Sequence, residues 1–173
     1  MLVQYNIYMA TIALKGSSIS TNGNLPKIGD TLIDFSLIKN DLSIANLNTF
    51  KGKNIILNIF PSIDTGTCAT SVRNFNKEAS ALENTMVLCI SRDLPFAQTR
   101  FCAAEGIDNV LTLSDFKSGT FGKEYGLEMI DGPLAGLHSR VVIVADSSGK
   151  ITHVEQVEDI VNEPNYSNAL KAI

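Results

Sequence analysis

The chain has 173 residues, 45% of them apolar and 18% charged, with a formal net charge of −4. That balance suits one ordinary globular domain and is too apolar and too weakly charged for a disordered chain. The longest uninterrupted apolar runs, residues 86–90 and 141–145, are too short to span a bilayer, and no Lys/Arg cluster supplies the footprint of a nucleic-acid or anionic-membrane binder. The expected partners are small molecules or proteins, with no nucleic acid and no membrane.

No Lys or Arg precedes Lys15 and no apolar stretch of signal-peptide length opens the chain, so a cytoplasmic protein is expected. Residues 1–11 read as an N-terminal extension, with residues 1–8 either disordered or ahead of the true start, since Met9 offers a second initiation point. Residues 12–173 read as one domain. Residues 12–14 and 17–20 flank Lys15-Gly16 and predict a small β-hairpin. Residues 33–38 and 42–45 flank Lys39-Asn40-Asp41 and suggest a second one. Residues 54–60, Asn-Ile-Ile-Leu-Asn-Ile-Phe, are β-rich, close at Pro61 and read as a central strand. From Cys68 the period changes: Val72, Phe75, Ala79 and Leu82 recur at three- and four-residue steps, the mark of an amphipathic helix.

A buried strand over 86–91 follows, and Asp93-Leu94-Pro95 then supplies a cap residue and an early proline for a helix to about Ala104. Next come a short strand at 111–113 and a short helix at 121–125. Strands at 141–145 and 151–157 are joined by the turn Asp146-Ser147-Ser148-Gly149. Asn162-Glu163-Pro164 starts a terminal helix with Tyr166, Leu170 and Ile173 on one face. This order predicts an α/β protein with a mixed central sheet flanked by helices, the ordering of a thioredoxin-like fold, plus the N-terminal hairpin.

Three cysteines, Cys68, Cys89 and Cys102, cannot build a disulfide framework for a domain of this size. Cys68 falls in the first turn of a helix immediately after a buried strand, where unpaired N–H groups favour a thiolate. The alternative, a small buried thiol, sits poorly with Thr65-Gly66-Thr67, a run that apolar packing would not select. Cys89, inside Met-Val-Leu-Cys-Ile, reads as a core thiol. On their own, Pro61 reads as a strand terminator, Thr65 as a cap or turn residue, and Arg140 as a solvated residue at a strand edge. His138 and His153 have no partner at metal-ligand spacing and read as surface groups.

The segment Pro61-Ser62-Ile63-Asp64-Thr65-Gly66-Thr67-Cys68 fits the pattern Pro-x-x-x-Thr-x-x-Cys. Together with residues 61–76, residues 91–109 (Ser-Arg-Asp-Leu-Pro-Phe-Ala-Gln-Thr-Arg-Phe-Cys-Ala-Ala-Glu-Gly-Ile-Asp-Asn), Asp131-Gly132-Pro133-Leu134, Arg140 and Glu163-Pro164-Asn165-Tyr166, it resembles the thiol peroxidase subfamily of the peroxiredoxins, the bacterial atypical two-cysteine type. The likeness runs from about Ile12 to the C-terminus and leaves residues 1–8 outside.

The resemblance implies a thiol-specific peroxidase acting on hydrogen peroxide and organic hydroperoxides. It makes Cys68 the thiolate that attacks the terminal peroxide oxygen, giving a sulfenic acid and releasing water or an alcohol. It points the Thr65 hydroxyl at the sulfur and the peroxide, makes Pro61 a wall against water, and places the Arg140 guanidinium beside the sulfur. Cys102 lies 34 residues beyond Cys68, the family's spacing for a resolving cysteine, which implies a Cys68–Cys102 disulfide recycled by thioredoxin. A homodimer is implied, and no metal, flavin, haem or other cofactor. A thiol–disulfide oxidoreductase on the same fold would carry Cys-x-x-Cys, but the positions three before and three after Cys68 are Thr65 and Ser71. A peroxide-sensing thiol–disulfide switch without significant turnover is the other reading.

Overall fold

The computed structural model describes residues 9–173; residues 1–8, most of the expected extension, lie outside the described residues. Thr11–Leu14 (β1) and Ser17–Ser20 (β2) pair antiparallel around Lys15 and Gly16, both at positive φ, as a tight two-residue hairpin turn requires. Pairing begins at Thr11, one residue ahead of the expected strand. The second hairpin also forms, but only as Leu37–Ile38 (β3) against Ile44–Ala45 (β4). Asp34 shortens it: one carboxylate oxygen accepts the Phe35 and Leu47 N–H groups, both at 2.9 Å, and bends the chain out of the ladder.

The rest of the chain runs Asn54–Ile59 (β5), Gly66–Ala79 (α1), Thr85–Ser91 (β6), Pro95–Glu105 (α2), Leu111–Ser114 (β7), Thr120–Glu124 (α3), Val141–Ala145 (β8), Ile151–Gln156 (β9) and Tyr166–Leu170 (α4). Seven strands form one mixed sheet in the order β4-β3-β7-β6-β5-β8-β9, with β5, β6 and β7 mutually parallel and the other pairs antiparallel. The hairpin β1–β2 stands apart as its own two-stranded sheet.

Both faces of the central strands are buried, which is why β5, β6 and β8 read as near-continuous apolar runs. Ile55, Leu57 and Ile59 of β5 join Leu88, Ile90, Val141 and Ile143 under Phe121 of α3. Ile56 and Phe60 face the other way, with Val87, Cys89, Val142 and Val144, against Val72 and Phe75 of α1 and Phe101 of α2. Tyr166 and Leu170 of α4 pack on this second face, the Tyr166 ring meeting Phe75 edge-on at 5.2 Å. The terminal helix is shorter than expected. Asn165 caps it by accepting the Asn168 N–H at 3.0 Å, and Ile173, expected on its inner face, lies beyond the last turn and is 40% exposed.

The histidines also differ from expectation. His138 is fully buried, its Nε2 3.1 Å from Oδ2 of the equally buried Asp115. The ring fits because Gly122 lies beneath it: a Cβ there would come within 2.7 Å of His138 Cδ2. A partner 23 residues away leaves no local trace in the sequence. His153 is partly buried, 17% exposed at the side chain, beside Glu155.

Gly126 fixes where the chain before β3 meets the chain before β8. Its φ is +68°, and a Cβ would lie 2.3 Å from the backbone oxygen of Asn24. Gly126→Ala is therefore expected to lower the unfolding free energy by more than about 1 kcal/mol. The readout is a lower urea midpoint with unchanged slope. A wild-type midpoint would show that the chain at Asn24 yields freely to a side chain there.

Candidate active site

At the end of β5 the buried residues Phe60 and Pro61 carry the chain off the sheet, and Pro61, having no N–H, cannot extend the ladder. Thr65 is the N-cap residue of α1, with extended backbone, yet its side chain makes no cap bond. Its hydroxyl instead donates to the Ser62 carbonyl at 2.9 Å, and its own N–H reaches the same oxygen at 3.2 Å. Gly66 opens the helix and Cys68 is its third residue, within the turn whose N–H groups lack intrahelical acceptors.

The Cys68 sulfur is completely buried, and the group that meets it comes from the other side of β5. Arg140, immediately before β8, sends Nη2 to within 3.3 Å of Cys68 Sγ. This arginine is 2% exposed, in contrast to the solvated edge residue its local sequence suggests. Its Nε and Nη2 both donate to the Ile160 carbonyl, at 3.0 and 2.9 Å, while Nη1 is buried without a hydrogen-bond acceptor among the described residues.

The Ile160 carbonyl is held in turn by the N-terminal hairpin. Ile160 N–H donates to Ala13 O at 3.0 Å and Ala13 N–H to Glu158 O at 2.7 Å. Between them, the Asp159 carboxylate accepts the N–H groups of Gly16 at 2.8 Å and Lys15 at 3.1 Å. The Gly16 bond, with those of Val161 and Lys15, holds the Asp159 carboxyl below the usual carboxylate range. One residue further, the Val161 carbonyl accepts the Thr67 hydroxyl at 3.0 Å, tying the same loop to the first turn of α1.

Beneath Cys68 runs a buried polar chain. The Ser71 hydroxyl donates to the Cys68 carbonyl at 2.8 Å, and Asn58 Nδ2 of β5 donates to Ser71 Oγ at 3.2 Å and to Cys89 Sγ at 3.6 Å. Burial pushes the Cys89 thiol up to about 12, consistent with the expected core thiol. Cys102 is half-buried on α2, its sulfur 3.9 Å from Thr112 Oγ1 of β7, and burial raises its pKa as well. All three cysteines are free.

Asp93 is not the cap expected of it. Leu94 occupies the N-cap position of α2 without a side-chain cap bond, although Pro95 does stand in the first turn. The Asp93 carboxylate is drawn away by three donors: Ser62 Oγ at 2.7 Å, Ile63 N–H at 2.6 Å and Ser91 Oγ at 2.7 Å. Pro61, Thr65 and Cys68 thus lie on one strand-to-helix connection, and Arg140 reaches it by direct contact. Cys102 stands apart. The neighbour of its sulfur is Thr112 on β7, whereas Cys68 follows β5, two strands away in the sheet order.

The sequence pattern of the Redoxin family matches residues 27–170. The chain belongs to the redoxin family. Within it, a thiol peroxidase from Corynebacterium glutamicum is 50% identical over 165 residues, 95% of this chain and 99% of that one, which places this redoxin in the thiol peroxidase branch. Among solved structures, a peroxiredoxin-like protein from Aquifex aeolicus superposes with a TM-score of 0.87 at 34% identity, covering 95% of this chain and 99% of that one. A thiol peroxidase from Chromobacterium violaceum shares the fold at a TM-score of 0.86 and 21% identity, covering 93% of each chain. The thioredoxin-like α/β architecture of this redoxin is therefore that of its relatives. The Asp93, Asp159 and Ile160 contacts escape sequence reasoning, two of them because backbone groups supply the bonds.

The buried Cys89 thiol gives stability a pH dependence. Its folded pKa, about 12, lies above its ordinary value of 9.0, so the unfolded chain loses the proton first. The associated stability is complete below pH 9 and is lost as the pH rises toward about 12. Urea midpoints of the reduced protein are expected to fall over that window, and Cys89→Ala to flatten the fall. Equal slopes in both proteins would contradict the assignment.

Proposed function

We propose that this protein is a thioredoxin-dependent peroxidase in which Cys68 reduces hydrogen peroxide and organic hydroperoxides. The observation that carries this reading is the Arg140 guanidinium, which touches the Cys68 sulfur while its Nη1 remains buried and without an acceptor among the described residues. A sulfur pair attacks the terminal peroxide oxygen, the O–O bond breaks, and the departing oxygen takes a proton to leave as water or alcohol. Cys68 is left as the sulfenic acid. Charge moves from sulfur to the leaving oxygen in this step, and a donor fixed beside both atoms stabilises that transfer without reorganising. Nη2 serves the sulfur and Nη1 the peroxide oxygens. Thr65, its proton engaged by Ser62, offers oxygen lone pairs to the peroxide O–H, and Pro61 closes a wall of the pocket.

The Cys102 thiol then attacks the sulfenic sulfur, forming the Cys68–Cys102 disulfide and releasing water. A thioredoxin dithiol reduces that bond and becomes a disulfide itself. A disulfide needs Cα atoms within about 7 Å, whereas Cys68 and Cys102 lie in separate helices with their sulfurs on Arg140 and near Thr112, so the first turn of α1, the end of α2 or both must unwind. A homodimer and a cytoplasmic setting belong to the same reading. Among the described residues no helix is long and apolar enough to cross a membrane.

The test is NADPH oxidation with thioredoxin and thioredoxin reductase on addition of peroxide, where many turnovers per protein are expected. Consumption that stops at one equivalent would replace the enzyme with a sensing switch. Cys102→Ser is expected to preserve the first attack, lower sustained turnover at least about tenfold, and leave Cys68 as sulfenic or sulfinic acid by mass spectrometry. Normal turnover in that variant, or a Cys68–Cys89 bridge in the oxidised wild type, would remove Cys102 from the resolving role.

A further inference from the structure

The peroxide reading assigns no work to Asp93, yet this side chain joins the two cysteine-bearing segments. Its oxygens accept from Ser62 and Ile63, which lie between Pro61 and Thr65, and from Ser91, the last residue of β6. The aspartate is itself fixed from three directions. Its N–H donates to Ser91 Oγ at 3.3 Å, and its carbonyl accepts the hydroxyl of Ser114 on β7. Buried Gln98 of α2 donates to Ser91 Oγ at 3.1 Å and to the Leu113 carbonyl at 3.0 Å. Strand β6, strand β7 and the first turn of α2 therefore hold one carboxylate in place.

What that carboxylate holds is the Ser62 peptide, whose carbonyl takes both the N–H and the hydroxyl of Thr65. A shift at Ser62 would turn the Thr65 hydroxyl. The only other side-chain tie between this loop and α2 among the described residues is the Arg100–Asp64 ion pair at 2.9 Å, which is exposed and contributes little. The Asp93 bonds are charge-assisted and partly shielded, and hydrogen bonds of that kind are roughly twice as strong as neutral ones.

We propose that Asp93 is a positioning residue for the peroxide reaction, stapling the loop that carries Pro61 and Thr65 to the segment that begins α2. The staple acts on both chemical steps. It orients Thr65 for the attack by Cys68. It also keeps the start of α2 fixed to that loop while the turns bearing Cys68 and Cys102 unwind, so the two sulfurs meet before a second peroxide arrives. The proposal rests on the peroxidase reading.

Asp93→Asn keeps the size of the side chain but presents an NH₂ group to donors that need an acceptor. Two quantities are read well below the melting temperature: the second-order rate of the reduced protein with hydrogen peroxide by stopped flow, and the ratio of Cys68 sulfinic acid to Cys68–Cys102 disulfide by mass spectrometry. Asp93→Asn is expected to slow the first at least about tenfold and to raise the second several-fold. Ser62→Ala, which deletes one donor and no charge, should move both in the same direction by less. The double variant should be no worse than Asp93→Asn alone, because the two act through one contact.

A merely structural aspartate would lower the melting temperature and leave rate and ratio at wild-type values, and that result would overturn the proposal. If Asp93→Asn does not fold, Ser62→Ala decides: the expected shift supports the staple, and wild-type behaviour overturns it. Failure of the underlying reading is distinct, because the wild type itself would then not react with peroxide.

Discussion

A guanidinium sealed from water must find hydrogen-bond acceptors and a counter-charge, because arginine cannot shed its proton in a protein. Arg140 meets the first need partly at the Ile160 carbonyl, which takes two of its N–H groups and contributes no charge. The group at its other side is the Cys68 sulfur. This pairing explains why so much of the surrounding chain is braced. The β1–β2 hairpin, peripheral to the main sheet, holds the loop that presents Ile160, with the Asp159 carboxylate gripping the hairpin turn. Removing the hairpin would leave the arginine acceptor without its support.

The sheet converts this local demand into a site. Arg140 precedes β8, Cys68 follows β5, and those two strands are hydrogen-bonded neighbours, so the end of one and the beginning of the other fall together. On the opposite side of β5 lies β6, whose last residue, Ser91, leads to Asp93 and then to α2 with Cys102. Two supports thus converge on one loop, the Arg140–Ile160 support from the β8 side and the Asp93 support from the β6 side. The thiol between them sits over Ser71 and Asn58, polar groups in a layer that is otherwise apolar. Asn58 keeps a buried amide oxygen without a partner among the described residues, a penalty of about 1–3 kcal/mol that an aliphatic residue would avoid.

What the sequence made legible was whatever has a local signature. The strands at 54–59 and 141–145 announce themselves because both their faces are buried, and α1 shows its period because only one of its faces is. Cys68 stood out through its strand-end, hydroxyl-rich and helix-start setting. Arg140 did not, because its partner is 72 residues away and its second acceptor is a backbone carbonyl that no sequence pattern marks; only family resemblance placed it. His138 and Asp93 misled for a related reason. A lone histidine reads as surface until Asp115 is folded beneath it, and an aspartate two residues before a proline reads as a helix cap until the Ser62 loop arrives with better donors. Propensity overextends the second hairpin and the terminal helix because Asp34 and Asn165 turn the backbone with side-chain bonds that it does not weigh.

The buried arginine thus joins two acceptors, the Ile160 carbonyl that braces the fold and the Cys68 sulfur whose chemistry it serves. The decisive measurement is stopped-flow reaction of the reduced protein with hydrogen peroxide, comparing wild type with Arg140→Met and recording urea midpoints for both. Removing this cation leaves the buried Ile160 carbonyl without its two donors, at a cost of about 1–3 kcal/mol, whereas losing a preorganised donor at the reacting atoms slows the chemical step by about 10²–10³-fold. Arg140→Met is expected to lose rate on that scale while still folding, with a lower urea midpoint that does not account for the lost rate. A variant that reacts at the wild-type rate would contradict this role of Arg140.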